Sequence, residues 1–467
     1  MQHVLIGLCS AALLLITGCT SKHLEIFPDL SNPGLTDQKI APEKLYDDID
    51  AFIAGVTERH PAYSRYADIS QIHQQAARIK AGLIRPLTRV EFFREVGTLS
   101  HYFNDGHTFL LWPYQEYQAL KEEGALMFPF ALDVFPSGIF VKYDYHANGQ
   151  TLRKGTRLLR INDVNVETIF SHAQQFVGGE TELLRKHVVA ARFPMMLWAV
   201  YGFVDRFDLD VQTSDNIHQI SIRPDDNWQP ASQPDIGSDF AYRVLSKDTG
   251  YLKVATFDVS PDWFEDFVDA TFLQIRQQGI KTLIIDIREN GGGNTDTASY
   301  LARHLADQPF RMISSLRERL NTDNRGLFNY RGEVGDMLQE EWGEWLDPVD
   351  DSRRFSGNAY VLISPLTYSS AIVFATAVKD NAMATLVGRQ TGGYANQTAQ
   401  GNLFNLPHSE LRAYVATRLL VRPDGSTEVS GVKPDIRVTI TSEQISAGTD
   451  ADIQAAVEHA AGITARQ

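Results

Sequence analysis

The feature that most constrains the fold is an alternation of apolar strands and helices that begins near Asp239. Five segments carry this alternation, each short enough to be one strand or one helix: Thr282–Ile287, Thr295–Leu305, Ala359–Ser364, Ser370–Lys379 and Ala384–Gly388. Strands that alternate with helices in this way usually pair in parallel, with the helices packed on the sheet. The sequence therefore predicts an α/β core at residues 238–442, followed by a helix at 443–467.

Two different patterns precede this core. Apolar residues recur at helical spacing near the start of the first: Leu45, Ile49, Ile53 and Val56. This spacing predicts a helical cap at residues 41–115. Between residues 125 and 225, short apolar segments flank Pro136-Ser137-Gly138, which indicates β-rich structure with tight turns. A chain of 467 residues is long enough for two or three domains.

The first 18 residues have the shape of a bacterial signal peptide. The stretch 4–16 is almost wholly apolar, too short to cross a bilayer comfortably, and followed by polar sequence. The small residues before Cys19 resemble a lipoprotein processing box, which implies cleavage before this cysteine and its acylation. Residues 19–40 then form a tether, and Thr20 implies sorting to an outer membrane. An ordinary signal peptide with an incidental cysteine fits the same pattern.

Charge and cysteine content exclude several classes of protein. The formal net charge is -15, whereas a nucleic-acid-binding protein needs a basic surface to neutralise phosphates. The only cysteines are Cys9 and Cys19, and the first lies inside the predicted signal peptide. With Cys19 acylated, the mature chain has no disulfide and no thiol. Cysteine-protease chemistry and cysteine-rich zinc sites are therefore excluded.

The strongest local candidate for chemistry is a strand-to-helix junction at Ser369. The predicted strand ends at Ser364, Pro365 marks a turn, and a helix begins near Ser370. Amide groups in the first turn of a helix lack intrahelical partners and stabilise nearby negative charge. A nucleophile here would have part of an oxyanion hole beside it. Taken alone, a serine at this position is more simply explained as a helix N-cap.

A glycine-rich loop follows the first strand of the predicted core. It reads Asn290-Gly291-Gly292-Gly293-Asn294, and such glycines let backbone amides approach a ligand closely. A dinucleotide fingerprint would need glycine at position 296, which is Asp296, and the lysine of a phosphate-binding P-loop is absent. An oxyanion loop and a purely structural turn remain as the two interpretations.

Two further segments contain candidate catalytic side chains. The tight turn Asn104-Asp105-Gly106-His107-Thr108 presents a histidine, and Glu428 follows a hairpin turn three residues before Gly431. Taken separately, each of these side chains is most simply a surface residue. Their significance depends on what the other segments are.

Taken together and in order, these segments resemble the tail-specific (carboxy-terminal processing) and tricorn-core serine peptidases. The resemblance is carried by the glycine-rich loop, by a Thr-x-Ser-x-Ala junction and by a Gly-Val-x-Pro-Asp motif, at Asn290–Gly293, Thr367–Ala371 and Gly431–Asp435. It extends over residues 42–436 and implies a crotonase-like core of parallel strands and helices. It also implies a PDZ-like module at 125–225. There Leu152–Val164 matches in part, and a chance hairpin at Asn162-Asp163 fits nearly as well.

The resemblance assigns catalytic roles to individual residues. Ser369 matches the nucleophile, and the amides of Ser370 and Gly292 match the oxyanion-hole donors, with Gly291 as a substitute for Gly292. Tail-specific members have a catalytic lysine at the position that Tyr394 occupies here. The nearby Lys379 is no replacement, because it lies three helical turns from Ser369, roughly 15 Å along the helix.

The tricorn-like branch of the family uses histidine instead of lysine. In that branch His107 matches the base, and Glu428 matches the carboxylate that orients it. A histidine ionises near neutral pH and is suited to accept a proton from serine. The same branch has a serine directly before the histidine, where this chain has Gly106. Thr108 is a candidate for the missing hydroxyl.

The sequence therefore predicts a Ser-His-Glu peptidase that hydrolyses proteins or peptides outside the cytoplasm, anchored in a membrane through Cys19. It predicts no metal, no organic cofactor and no nucleic-acid partner. A catalytically inactive peptide-binding lipoprotein with the same fold is the alternative, favoured by the absent lysine. An acyl-CoA enzyme is a third reading of a crotonase-like core. The Ser369 junction and the signal peptide oppose it, since coenzyme A is not expected outside the cytoplasm.

Overall fold

The computed structural model describes residues 26–213, 216–231, 238–325 and 331–464. The predicted signal peptide and Cys19 lie outside these residues. None of the helices in the described ranges combines the length and the apolar character that crossing a membrane requires. The end of the predicted tether packs on the protein body, where Phe27 stacks on Tyr114 with 4.2 Å between the ring centroids.

The N-terminal region is helical, as the sequence predicts. Its elements are α1 (Pro42–Arg59), α2 (Tyr63–Tyr66), α3 (Ile69–Gly82), α4 (Arg89–Val96), β1 (Thr108–Leu110) and α5 (Tyr114–Glu122). Helix α1 starts with a proline, which is tolerated in the first turn because the amide there has no intrahelical partner. The predicted apolar stripe of α1 is buried. A capping box between Thr88 and Glu91 starts α4.

A β-rich module follows. Its strands are β2 (Leu132–Phe135), β3 (Gly138–Val141), β4 (Tyr145–Ala147), β5 (Gln150–Leu152), β6 (Arg157–Ile161), β7 (Val164–Asn165), β8 (Phe207–Gln212), β9 (Ile217–Ile222) and β10 (Gln229–Pro230). The main sheet has the order β2-β3-β6-β8-β9, with β7 beside β6, and β4 pairs with β5 and β10 in a smaller sheet. The predicted turn at Asn162-Asp163 joins β6 to β7, and both residues have positive φ angles. Strand β2 is thus an edge strand.

Three helices in this module were not predicted from the sequence. They are α6 (Val166–Ala173), α7 (Glu182–Ala191) and α8 (Phe193–Tyr201). Helix α8 is apolar and buried over almost its whole length, so it lacks the polar face that makes a helical period visible. Helix α7 starts at Thr181, whose hydroxyl accepts a hydrogen bond from the amide of Leu184. The module is therefore a sheet packed with helices.

The remaining elements build the C-terminal half. Its strands are β11 (Phe240–Ser246), β12 (Thr249–Val254), β13 (Thr282–Asp286), β14 (Ser315–Arg319), β15 (Met337–Glu341), β16 (Asn358–Ile363), β17 (Thr385–Gly388), β18 (Thr398–Asn405), β19 (Arg412–Val421) and β20 (Ile436–Arg437). Its helices are α9 (Pro261–Gln277), α10 (Thr295–Arg303), α11 (Ser370–Asp380), α12 (Ser442–Ser446) and α13 (Ala451–Thr464). Six of the strands form a sheet in the order β11-β12-β13-β16-β17-β20.

This six-stranded sheet confirms the predicted α/β class. Strands β12, β13, β16, β17 and β20 run in parallel, and β11 is antiparallel at one edge. Side chains alternate between the two faces: Ile285 and Val361 pack in the core shared with α9, α10 and α11, whereas Ile284 and Tyr360 pack with residues of α13. Helices on both faces make the sheet a buried platform whose strand ends carry the candidate site.

A second sheet connects the N-terminal region to the core. Its order is β1-β19-β14-β15, with β18 paired to β19. Strand β1 pairs antiparallel with β19, so that Thr108 lies opposite Val415. This pairing brings the turn that contains His107 to the core from more than 250 residues away in the chain.

A buried ion cluster joins the core sheet to the C-terminal helix. The Arg288 guanidinium lies 2.6 Å from Asp286, 2.8 Å from Asp450 and 2.9 Å from Asp452.

Replacing Arg288 with methionine removes the guanidinium that contacts all three carboxylates. We expect the variant to lose about 3–5 kcal/mol of unfolding free energy, measured by urea denaturation. The exposed pair of Arg206 provides the control: Arg206→Met should change stability by less than about 1 kcal/mol. Equal effects of the two substitutions would contradict this account.

Candidate active site

The predicted junction at Ser369 is present, and its backbone is strained. Strand β16 ends at Ile363, and α11 begins directly after Ser369, which has φ 54° and ψ -127°. A non-glycine residue is rarely found in this region of φ and ψ, and such strain clusters at functional sites. The Ser369 side chain makes no N-cap hydrogen bond, so the simple cap interpretation lacks its defining contact.

Neighbouring side chains fix the conformation of this junction. Thr367 donates its hydroxyl to the carbonyl of Ile287 at 3.0 Å, and the buried Gln397 donates its side-chain amide to the carbonyl of Ser369 at 2.7 Å. The amide of Tyr368 donates to the carbonyl of Asn290. The nucleophile turn is thereby tied to the strand end, to β18 and to the glycine-rich loop. Such contacts hold a strained backbone in place.

The structure brings His107 to Ser369. The Nε2 atom of His107 lies 3.0 Å from Oγ of Ser369, which is within the range for proton transfer between a nucleophile and its base. The imidazole is 7% exposed. Burial lowers the pKa of His107 below its ordinary value, although the carboxylate of Asp105 acts in the opposite direction. The neutral form of a base is therefore favoured at neutral pH.

Asp105, two residues before His107, is the centre of a buried hydrogen-bond cluster. One oxygen of its carboxylate accepts from the His107 amide at 3.0 Å and from the Thr398 hydroxyl at 2.5 Å. The other oxygen lies 2.7 Å from the Thr108 hydroxyl and 3.0 Å from Nε2 of His60. Burial opposes ionisation, but the contacts with His60, His107 and Thr398 hold the pKa of Asp105 well below its usual range.

Glu428, by contrast, is not brought to His107. Its carboxylate is 61% exposed and lies 3.3 Å from Nζ of Lys433. A hydrogen bond with Ser430, and then Lys433, lower the pKa of Glu428 as surface partners do. The hydroxyl of Thr108, a candidate for the missing serine, donates to Asp105 and not to the imidazole. Nδ1 of His107 instead lies 3.2 Å from the hydroxyls of Thr398 and Tyr368.

The two predicted oxyanion-hole donors differ in their surroundings. The amide of Ser370 has no hydrogen-bond partner among the described residues, as expected at a helix start. The amide of Gly292 already donates to Oδ1 of Asn290 at 2.8 Å. Gly291, the predicted substitute, is exposed beside it. The structure thus leaves the Ser370 amide available and engages that of Gly292 within its own loop.

Gly292 nevertheless lies against the nucleophile. Its φ is 107°, and a Cβ at this position would lie 2.5 Å from Cβ of Ser369 and 3.1 Å from the Ser370 amide. Gly292→Ala should therefore displace the junction and lower kcat/KM for peptide hydrolysis by at least about 10²-fold. Gly291→Ala is the matched control, because a Cβ there meets nothing within 4 Å. Equal activity of both variants, at equal thermal stability, would contradict this geometry.

Tyr394 and Lys379 make their contacts with other residues than Ser369. Tyr394, at the position of the family lysine, packs against Tyr66 with 6.2 Å between ring centroids. Lys379 is paired with Asp435 and donates to the carbonyl of Lys433 at 3.0 Å. Across the described parts of the chain, no group of three or more His, Cys, Asp or Glu side chains is arranged to hold a metal ion.

Several residues of this site were not identified from the sequence. The sequence alone does not mark Thr398, Gln397 or Glu180 as functional, and Tyr368 and Asp105 stand out only as neighbours of the candidate catalytic residues. Glu180 is buried and accepts a hydrogen bond from the Tyr368 hydroxyl at 2.9 Å. None of these residues carries a local motif. Only the adjacency of Asp105 and Tyr368 to the candidate catalytic residues offered a signal in the sequence.

Part of the chain is similar to a known family of peptidases. The model of peptidase family S41 matches residues 248–438. A tail-specific protease of Haemophilus influenzae is 22% identical over 200 residues, a match that covers 42% of this chain and 25% of that relative. The chain thus spans a quarter of the length of this curated relative.

Solved structures share the fold over nearly the whole described chain. Mature CPAF has a TM-score of 0.66 at 15% identity, covering 90% of this chain and 96% of CPAF. Mature CPAF complexed with lactacystin has a TM-score of 0.65 at 14% identity, covering 90% and 97%. Residues 248–438 are thus similar to peptidase family S41, and the two CPAF structures share the fold of this chain.

Proposed function

We propose that this protein is a peptidase that hydrolyses peptide bonds of proteins or peptides, with Ser369 as nucleophile and His107 as general base. The observation that carries the proposal is the 3.0 Å contact between Nε2 of His107 and Oγ of Ser369. It joins residues from two distant segments at the end of the core sheet. A surface histidine and a helix-capping serine would not be expected to form a hydrogen bond with each other at this point of the fold.

The chemistry follows from this contact. Nε2 of His107 takes the proton of Ser369 while Oγ attacks the peptide carbonyl, and the Ser370 amide stabilises the oxygen that becomes negative. The leaving amine then takes the proton from His107, and an acyl-enzyme remains on Ser369. His107 then takes a proton from a water molecule that attacks the acyl carbon, and gives this proton to Oγ of Ser369 as the bond to the acyl group breaks. The amide of Gly292 contributes to the oxyanion hole only if it exchanges its bond to Asn290 for one to the substrate.

A groove beside the catalytic core has room for the residues of a peptide substrate that lie beyond the cleaved bond. A cavity of about 470 Å³ is lined by edge strand β2, helix α7, the core sheet and the C-terminal segment. An edge strand offers unpaired backbone groups that an extended peptide can join as an added strand. The same groove supports the rival function, a catalytically silent protein that binds peptides.

One experiment separates the two functions. The purified protein is incubated with reduced, alkylated casein, and new amino termini are counted over time. Cleavage that disappears in the Ser369→Ala variant supports the peptidase. Binding of fluorescent casein peptides without any cleavage, equal in the wild type and in this variant, would replace it by the binding function.

The cellular location of the protein is inferred from its first residues. We propose that it acts outside the cytoplasm, anchored through a lipid on Cys19, because the apolar stretch before this cysteine has the pattern of a lipoprotein signal. Partitioning into the detergent phase of Triton X-114 is the test. The wild type should enter this phase and Cys19→Ala should not, whereas equal partitioning would refute the anchor.

A further inference from the structure

The imidazole of His107 faces two hydroxyl groups where a carboxylate was predicted. Nδ1 lies 3.2 Å from Oγ1 of Thr398 and 3.2 Å from the hydroxyl oxygen of Tyr368. Each hydroxyl in turn bonds a buried carboxyl group. Thr398 donates to Asp105 at 2.5 Å, and Tyr368 donates to Glu180 at 2.9 Å. Two hydroxyl-linked acids are thus available to orient one histidine.

We propose that Asp105, acting through the hydroxyl of Thr398, is the group that orients His107 and stabilises its charged form. Both are positioning residues in this scheme, since neither touches the substrate. The inference rests on the proposed function of His107 as a base. It replaces the role that the sequence predicted for Glu428.

Charge decides between the two acids. Asp105 is buried with four hydrogen-bond partners on its carboxylate and is held ionised. Burial, and then the neighbouring charge of Asp105, raise the pKa of Glu180 to about 8. Glu180 therefore keeps its proton at neutral pH and brings no negative charge to the imidazole. Only Asp105 can balance the positive charge that His107 acquires during the reaction.

The hydrogen bonds also fix the tautomer. A threonine hydroxyl has one donor, which Thr398 gives to Asp105, so its oxygen can only accept from Nδ1–H of His107. The proton is then on Nδ1, and the lone pair of Nε2 faces the Ser369 hydroxyl. This is the tautomer that a general base requires. The reverse tautomer would place a proton against the serine and leave the base inactive.

The replacement of serine by Gly106 fits the same scheme. A Cβ at position 106 would lie 2.4 Å from the Tyr368 hydroxyl, so the tyrosine fills the space in which a serine would stand. The amide of Gly106 donates to Glu180, which holds the turn from the other side. In this chain the hydroxyl beside the histidine comes from β18, in Thr398, instead of from the preceding residue.

The test compares Thr398→Val and Tyr368→Phe, which each remove one hydroxyl with little change of volume, with Thr398→Ser, which keeps the hydroxyl. Thr398→Val should lower kcat by about 10²-fold with KM nearly unchanged, and Thr398→Ser should restore most of the rate. Tyr368→Phe should cost less than tenfold. Thr417→Val is the control, because Thr417 is equally buried on neighbouring β19 and its hydroxyl donates to the Gln400 carbonyl instead of to Asp105. A Thr398→Val rate within threefold of the wild type, or a Tyr368→Phe loss larger than that of Thr398→Val, would overturn the proposal.

A second readout does not depend on activity. In protein labelled with ¹⁵N-histidine, the His107 signals, assigned with His107→Gln, report which ring nitrogen carries the proton. We expect the proton on Nδ1 in the wild type and a shift toward Nε2 in Thr398→Val. An unchanged tautomer in this variant would overturn the role of Thr398 even if the enzyme is active. The expected shift in a protein that cleaves nothing would uphold the Asp105–Thr398 arrangement and remove only the proposed peptidase function.

Discussion

Replacing Ser369 with alanine is expected to lower kcat for peptide hydrolysis by about 10⁶-fold. The loss is large because the substitution removes the atom that forms the acyl-enzyme, and no other hydroxyl of the junction contacts His107 at Nε2. The side chain is not used as an N-cap, so the melting temperature should stay within a few degrees. Initial rates with a quenched fluorescent peptide, at enzyme concentrations high enough to detect residual activity, measure the effect.

The control for this variant is a serine on the same half of the protein but away from the site. Ser299 lies on α10, is half-buried and donates its hydroxyl to the carbonyl of Asp296. Ser299→Ala should hydrolyse the peptide at the wild-type rate. A Ser369→Ala protein that retains more than a hundredth of the wild-type rate, after contaminating proteases are excluded, would be incompatible with Ser369 as nucleophile.

Replacing His107 with alanine should lower kcat for peptide hydrolysis by a similar factor, about 10⁶-fold. A nucleophilic serine without its base is nearly inert, and removing both groups should cost little more than removing either one. His218→Ala is the control, since His218 lies on exposed β9 with a hydroxyl of Thr213 as partner. Partial recovery of the His107→Ala rate by added imidazole would support the assigned role. A double variant of Ser369 and His107 that shows additive losses would argue against it.

The same base predicts the pH dependence of the wild type. His107 accepts a proton only when it is neutral, and burial lowers its pKa below the ordinary value of about 6.5. Activity should therefore be constant near neutrality and fall only on the acid side of the ordinary histidine pKa, where His107 becomes protonated. A lysine base would instead make the rate rise through the alkaline range. A profile of kcat/KM against pH distinguishes these two outcomes.

Local patterns predicted the elements that carry the nucleophile. The buried strand at Thr282–Ile287, the strand before Ser364 and the helix after Ser369 all appear close to their predicted bounds. These segments are continuous apolar runs bounded by glycine or proline, so that propensity and burial agree. The same agreement holds for α1, whose apolar stripe is spaced as in a helix. The α/β class followed from these elements alone.

Contacts between distant segments could not be predicted in this way. The pairing of β1 with β19 joins Thr108 to Val415, and no periodicity of either segment specifies such a partner. The hydrogen bond between Asp105 and Thr398 spans 293 positions. The donor is Thr398, and nothing in the local sequence distinguishes it from the other threonines of the chain. Residues that orient a base are recognised by geometry, and the geometry exists only once both sheets are assembled.

Glu428 illustrates the opposite case: its position matches the sequence motif, but the contact with His107 inferred from that match is not formed. Its distance from Gly431 matches the family motif, yet its side chain is exposed beside Lys433. The orientation of a side chain at a hairpin depends on the turn and on neighbouring side chains. Neither can be read from the spacing between Glu428 and Gly431. The role predicted for Glu428 passes in our proposal to Asp105, a residue two positions before the histidine.

The central claim is that His107 activates Ser369 as a nucleophile. Its most direct test is reaction of the purified protein with a fluorophosphonate, followed by intact mass and peptide mapping. The account predicts a single adduct on Ser369 in the wild type, formed far more slowly in His107→Ala. An adduct on another residue, or none in a protein that still cleaves casein, would contradict it.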